Sequence, residues 1–125
     1  MSDINHPNII NMLNSTDGCT LKEASGDVKD KVFYLALELA SGGELFDFIA
    51  QNASFSKPVA RFYFHQIMDA FEYLHLKGIS HRNMKPDNIM FNKEFNLKIA
   101  DFGLSFKAAT NQSFKSTGTT WLKIF

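Results

Sequence analysis

The sequence predicts an α+β fold, and three observations carry that prediction. Two apolar runs near the N-terminus have the aromatic and aliphatic make-up of paired strands. A stretch over 57–77 repeats with the helical period, and two very short apolar runs flank a polar turn after it. At 125 residues the chain is one domain or part of one, and 45% hydrophobic residues with 13 Phe make it too apolar for a disordered segment.

In order, "NIINML" (8–13) is the first strand candidate. "STDGCTLKEASGDVKDK" (15–31) is polar, broken by Gly18 and Gly26, and reads as a long turn. "VFYLALELA" (32–40) is the second strand, so the pair forms an antiparallel hairpin. Near-continuous apolarity in both runs predicts burial on two faces. Ser41-Gly42-Gly43 stops the strand, and "ELFDFIAQN" (44–52) is a short helix with Leu45, Phe48 and Ile49 on one face.

The main helix spans 57–77, with Ser56 placed to cap it, Pro58 in its first turn and Gly78 after its end. Phe64, Ile67, Phe71 and Leu74 form its apolar stripe, which Phe62 and Tyr63 widen, so neighbours are expected on more than one side. A loop (79–88), a strand "IMF", a turn "NKEFN" and a strand "LKIA" follow. Beyond Leu104 the period is lost, Ser, Thr and Lys accumulate, and a mobile loop is expected.

Thirteen basic and 13 acidic side chains cancel, so no long-range field favours nucleic acid or an anionic membrane. Cys19 is the single cysteine, no signal segment opens the chain, and no apolar run approaches a membrane span. A soluble protein of the cytoplasm or nucleus is expected. His6, His65 and His75 lack metal-ligand spacing.

The chemistry is concentrated in "HRNMKPDN" (81–88) and "DFG" (101–103). Asn88 and Asp101 offer hard oxygens suited to Mg²⁺, and Lys85 is a mobile cation able to follow a γ-phosphate. The hairpin between them brings Asn88 and Asp101 to the same end of adjacent strands, which predicts a metal site there. Both also suit turn capping, and His81 suits a packed structural role.

With "HPNI" (6–9), "LELASGGELFDFI" (37–49), "ARFYFHQIMDAFEYLHLKGISHR" (60–82), "KPDNIMF" (85–91) and "LKIADFGLS" (97–105), the chain resembles the eukaryotic Ser/Thr protein kinase catalytic domain. The likeness is to the calmodulin-dependent and AMP-activated groups, and the resemblance implies a partial bilobal fold. Residues 1–38 would be a remnant of the upper lobe, and 39–125 the hinge and part of the lower lobe. ATP and Mg²⁺ are the implied cofactors, and a protein substrate or a partner kinase the implied macromolecule.

By the same resemblance, Leu37 stands behind the adenine, with Glu38 and Ala40 offering a carbonyl and an amide to its edge. Glu44 reaches the ribose or a basic substrate residue, and Met90 packs beneath the ring. Asn88 and Asp101 hold Mg²⁺, and Lys85 attends the transferred phosphate. Met12, His81 and Phe102 form an apolar stack between the lobes. Arg82 awaits a phosphate on the following loop, where Ser113, Ser116 and Thr117 are candidate acceptors.

Three departures qualify the resemblance. Asn83 stands where the family places a catalytic Asp, and losing a positioned base costs roughly 10²–10⁴ in rate. The Gly-rich loop and strand Lys that the family places before "HPNI" are not among these residues, which removes most of the clamp on the α- and β-phosphates. After Gly118, Trp121 and "LKIF" replace the family's Ala-Pro-Glu segment. Negligible transfer is therefore expected, the alternatives being a pseudokinase-like binding module or a gene fragment without function.

Overall fold

In the computed structural model, residues 4–52 and 54–108 are described. Strands β1 (Met12–Lys22) and β2 (Val28–Leu37) form an antiparallel hairpin, and helices α1 (Leu45–Asn52) and α2 (Lys57–Leu76) follow. β3 (Ile79–Ser80) pairs with β6 (Phe106–Lys107), and β4 (Ile89–Phe91) pairs with β5 (Leu97–Ile99), both antiparallel. This is the α+β arrangement expected for a partial protein kinase fold.

The first hairpin differs from expectation in two ways. Most of the anticipated long turn is strand, and the reversal is confined to residues 23–27, closed by Glu23 N–H to Asp27 O at 2.9 Å. The polar residues tolerate the ladder because both faces of the hairpin are largely open. Burial on two faces holds for Asn8, Ile9 and Ile10, which precede β1, but not within the hairpin, where Leu13 and Phe33 are 69% and 65% exposed. Register shifts between Asp17 and Cys19 and between Cys19 and Leu21 absorb the irregular sequence as bulges.

The core lies where α2, β4 and β5 meet. Ile89, Phe91, Leu97 and Ile99 point inward by the two-residue alternation of strands and are essentially inaccessible. Against them α2 presents Ile67, Ala70 and Leu74, with Tyr63 and Phe71 partly buried alongside. Phe64, expected in the stripe, is 43% exposed, because the buried face runs through Tyr63, Ile67, Ala70 and Leu74 instead. Ser56 makes no side-chain cap; its backbone carbonyl accepts Ala60 N–H at 2.9 Å. Gly78, at φ +69°, ends the helix as expected. From α1, Leu45 is buried, and the Phe48 ring stacks on Phe55 and meets the edge of Phe91.

The "HPNI" segment runs beside β5, with Ile99 N–H to Asn8 O at 2.8 Å and Ile10 N–H to Ile99 O at 2.9 Å. Residues 106–107, expected in a mobile loop, form the short β6 ladder because Ile79 and Ser80 present a free strand edge. The segment from residue 109 onward, with Ser113, Ser116, Thr117 and Trp121, lies outside the described residues. Among the described residues no helix is long and apolar enough to cross a membrane.

Candidate active site

His81 is the pivot of the loop after β3. Its ring is buried, Nδ1 accepts the Asn83 backbone N–H at 3.2 Å, and Nε2 lies 2.9 Å from Ala100 O. An Nδ1 that accepts leaves the proton on Nε2, which therefore donates to Ala100 O. Burial lowers the imidazole pKa below its usual 6.5, against the opposing pull of the Ala100 carbonyl and the Asp101 charge. The neutral ring also meets Phe102 edge-on, centroids 4.7 Å apart. The bland structural reading of His81 thus coincides with a positioning one, since it ties the 81–83 loop to residues 100–102.

Two residues of this region are held in the left-handed backbone region, Arg82 at φ +64° and Asp101 at φ +59°. For non-glycine residues this costs on the order of 1–2 kcal/mol each and recurs where structure is over-determined for function. Arg82 Nε donates to Leu104 O at 2.7 Å, and its guanidinium lies 5.4 Å from the Phe106 ring centre. Arg82 is thereby held against the start of the segment that the resemblance assigns it.

Asn83, Asn88 and Asp101 converge into one polar knot. Asn83 Nδ2 donates to Asp101 Oδ2 at 2.7 Å, and Asn88 Nδ2 donates to the same oxygen at 3.2 Å and to the Asn83 carbonyl at 2.7 Å. Asp101 Oδ1 accepts Gly103 N–H at 3.2 Å. A carboxylate only accepts, so the orientation of both amides is forced: nitrogen faces Asp101. The Pro86–Asn88 turn of 3-10 helix, closed by Asn88 N–H to Lys85 O at 3.0 Å, aims Asn88 inward, while Ala100 N–H to Asn88 O (2.9 Å) locks it against β5.

The donor set fits a hard divalent cation. Asp101 supplies one carboxylate and Asn88 an amide oxygen; among the described residues no hydrogen bond engages Asn88 Oδ1, and no group of three or more His, Cys, Asp or Glu gathers. Mg²⁺ characteristically takes one or two protein ligands and completes its shell with phosphate oxygens and water. Lys85 is exposed at the entrance to the same turn.

The remaining predicted residues line a path from β2 to β4. Leu37 pairs with Met12 at the open end of the hairpin, and Glu38 N–H donates to Asn11 O at 2.9 Å. Ala40 lies in the link that follows. Glu44 and Met90 form an isolated antiparallel bridge. Gly42 N–H donates to Phe91 O and Phe91 N–H to Gly43 O, both at 2.8 Å, so the link lies directly on β4. Of the three residues expected in one apolar stack, His81 and Phe102 touch, and Met12 pairs with Leu37 in the first hairpin.

Two connections were missed in the sequence. Lys98, on the opposite face of β5 from the core, pairs with Met90 across the ladder, and its ammonium meets Glu38 Oε1 at 2.5 Å. A lysine between two buried aliphatics in "LKI" was the available signal. Gln66 Oε1 accepts Leu97 N–H (2.7 Å) and Asn8 Nδ2 (3.0 Å), tying α2 to β5 and "HPNI"; only its place beside Ile67 hinted at it.

An antiparallel hairpin joined by a short link to a helical region, with a polar Asn–Asp knot on the β4–β5 hairpin, defines the class as a protein kinase-type catalytic fold. The chain belongs to the protein kinase domain family, which matches residues 1–122. It is 42% identical over 105 residues to CBL-interacting protein kinase 24 of Oryza sativa subsp. japonica, covering 84% of this chain and 21% of that protein. CBL-interacting protein kinase 32 of the same organism is 38% identical over 118 residues, 94% of this chain and 24% of the relative. Serine/threonine-protein kinase CHK1 of Saccharomyces cerevisiae is 39% identical over 101 residues, 80% and 17% respectively. The chain spans about a fifth of the length of the curated relatives it matches.

Proposed function

We propose that the chain is the nucleotide- and substrate-facing part of a Ser/Thr protein kinase domain in which transfer from ATP to a protein hydroxyl is held to a negligible rate at Asn83. The observation that carries this reading is the 2.7 Å hydrogen bond from Asn83 Nδ2 to Asp101 Oδ2. An amide takes no proton from an attacking hydroxyl, and here its donor end is committed to the neighbouring carboxylate.

In this reading residues 1–38 belong to the upper lobe and 39–125 to the hinge and lower lobe. Asn88 and Asp101 hold Mg²⁺, and Lys85 follows the γ-phosphate. The Glu38 carbonyl and Ala40 N–H meet the adenine edge beside Leu37, Met90 packs under the ring, and Glu44 takes the ribose or a basic substrate side chain. In support, among the described residues no hydrogen bond engages the Glu38 carbonyl or the Ala40 N–H. When bound, Mg²⁺ neutralises the phosphate oxygens and aligns the transferred group. Arg82 pairs with a phosphate on Ser113, Ser116 or Thr117, and the macromolecule engaged is a protein substrate or a partner kinase.

The test compares the chain with its Asn83→Asp variant, using labelled ATP, Mg²⁺ and a basic Ser-containing peptide. The expected result is no measurable transfer by the unsubstituted chain and a gain on the order of 10²–10⁴ in the variant. Measurable transfer by the unsubstituted chain at a rate comparable to that of the variant overturns the role of Asn83.

The same hydrogen bond favours a second reading, a pseudokinase-like module that binds nucleotide or a partner without turnover. A rise in melting midpoint with ATP and Mg²⁺, in the absence of transfer, supports it. No rise counts against the nucleotide-binding form.

A further inference from the structure

We propose that Asn83 is a built-in stopper of the divalent-cation site: its carboxamide N–H occupies Asp101 Oδ2 and must swing away before a cation ligates that oxygen. The inference deepens the metal-site reading above and rests on it. It is separate from the missing base, because it concerns what the amide holds and not what it fails to accept.

Each carboxylate oxygen presents about two acceptor positions. Oδ2 of Asp101 is met by Asn83 Nδ2 at 2.7 Å and by Asn88 Nδ2 at 3.2 Å, so both are used. Oδ1 is engaged by Gly103 N–H at 3.2 Å. The Asn88 contact is the longer and belongs to an amide whose better bond, at 2.7 Å, goes to the Asn83 carbonyl. Asn83 is therefore the group whose departure opens Oδ2 while leaving the rest of the knot in place.

A carboxylate at residue 83 could not make this contact, since two acceptors repel. The amide instead supplies to the Asp101 carboxylate the partial positive charge that a cation would otherwise bring. A cation must then compete with an internal hydrogen bond to a charged group, which weakens its binding about 10-fold or more.

The experiment measures Mn²⁺ binding to the full chain, without nucleotide, by calorimetry and by melting midpoint against MnCl₂ concentration. Asn83→Ala is the informative variant, because Asn83→Asp would add a charge of its own. The expected result is a lower midpoint without metal together with Mn²⁺ affinity raised about 10-fold or more. Unchanged or weaker Mn²⁺ binding in Asn83→Ala overturns the proposal, and weaker binding would make Asn83 a ligand.

Asp101→Asn separates the two claims. If it leaves the Mn²⁺ response intact, the metal-site reading itself fails. If it abolishes the response while Asn83→Ala gives no gain, the stopper alone fails. A measurement on the unsubstituted chain covers the case in which the variants do not fold: saturating Mg²⁺ shifts the Asn83 side-chain ¹⁵N–¹H₂ signals and speeds their hydrogen exchange. Signals that stay fixed while those around Asp101 move overturn the proposal.

Discussion

Glu38 and Lys98 form an ion pair, Oε1 to Nζ at 2.5 Å, that fastens the end of β2 to β5. Asn11 Nδ2 donates to the other Glu38 oxygen at 3.1 Å, so three segments distant in sequence meet at one carboxylate. Lys98 stands opposite Met90 in the β4–β5 ladder, and Met90 bridges Glu44 at the start of α1. The pair therefore sets the spacing between the link over 38–44 and the hairpin that carries Asn88 and Asp101.

Breaking this pair from one side is expected to be expensive. The Lys98 side chain is 11% exposed and that of Glu38 23%, so neither charge is well solvated when alone. Glu38→Gln leaves the ammonium buried without a counter-charge and costs about 3 kcal/mol, the low end for a buried pair because Glu38 keeps some water contact. Glu38→Gln with Lys98→Met removes both charges and recovers most of that loss. Urea denaturation of the single and double variants gives the coupling energy.

His81 makes stability depend on pH in a defined direction. The unfolded imidazole takes up its proton near 6.5, whereas burial, the largest cause, keeps the folded one neutral to lower pH. Between those two values the unfolded state binds more protons, so stability rises with pH and is lost as pH falls below about 6.5. Protonation also places a hydrogen on Nδ1, the atom that accepts Asn83 N–H. His6, likewise lowered mainly by burial, adds a slope of the same sign. Urea midpoints measured from pH 7 to 5 are expected to fall, and His81→Gln flattens the part of the slope that His81 supplies.

The elements and the knot were legible in the sequence to different depths. The period of α2 and the Gly78 that ends it are plain in the sequence, as are the two apolar runs around a polar turn that make the β4–β5 hairpin. The approach of Asn88 to Asp101 followed from that hairpin alone. The faces of the first hairpin were not legible, because an apolar strand reads alike whether it is covered or open. The Asn83–Asp101 bond escaped for a different reason: a substitution announces the chemistry it removes, while the new contact depends on a backbone turned to positive φ at Arg82. Lys98 and Gln66 are polar residues whose partners lie 60 and 31 positions away in Glu38 and Leu97, a separation that no local pattern encodes.

Gly42 offers the sharpest test of how the link is seated on β4. A Cβ built there would lie 2.5 Å from Asn92 O, 2.7 Å from Phe91 Cβ and 2.8 Å from Phe91 O, all parts of a strand end that cannot give way easily. Gly42→Ala must therefore push the link off β4, stretching the Gly42 N–H to Phe91 O and Phe91 N–H to Gly43 O bonds together. The expected cost is about 3 kcal/mol, the upper part of the range for overpacking a close contact. At the next residue the cause is different. Gly43 has open space around a Cβ but sits at φ +87°, so Gly43→Ala pays only backbone strain, on the order of 1–2 kcal/mol. Thermal and urea unfolding of the two variants should rank them in that order. The reverse ranking would mean that the link is held by its torsion angles and not by its contact with β4.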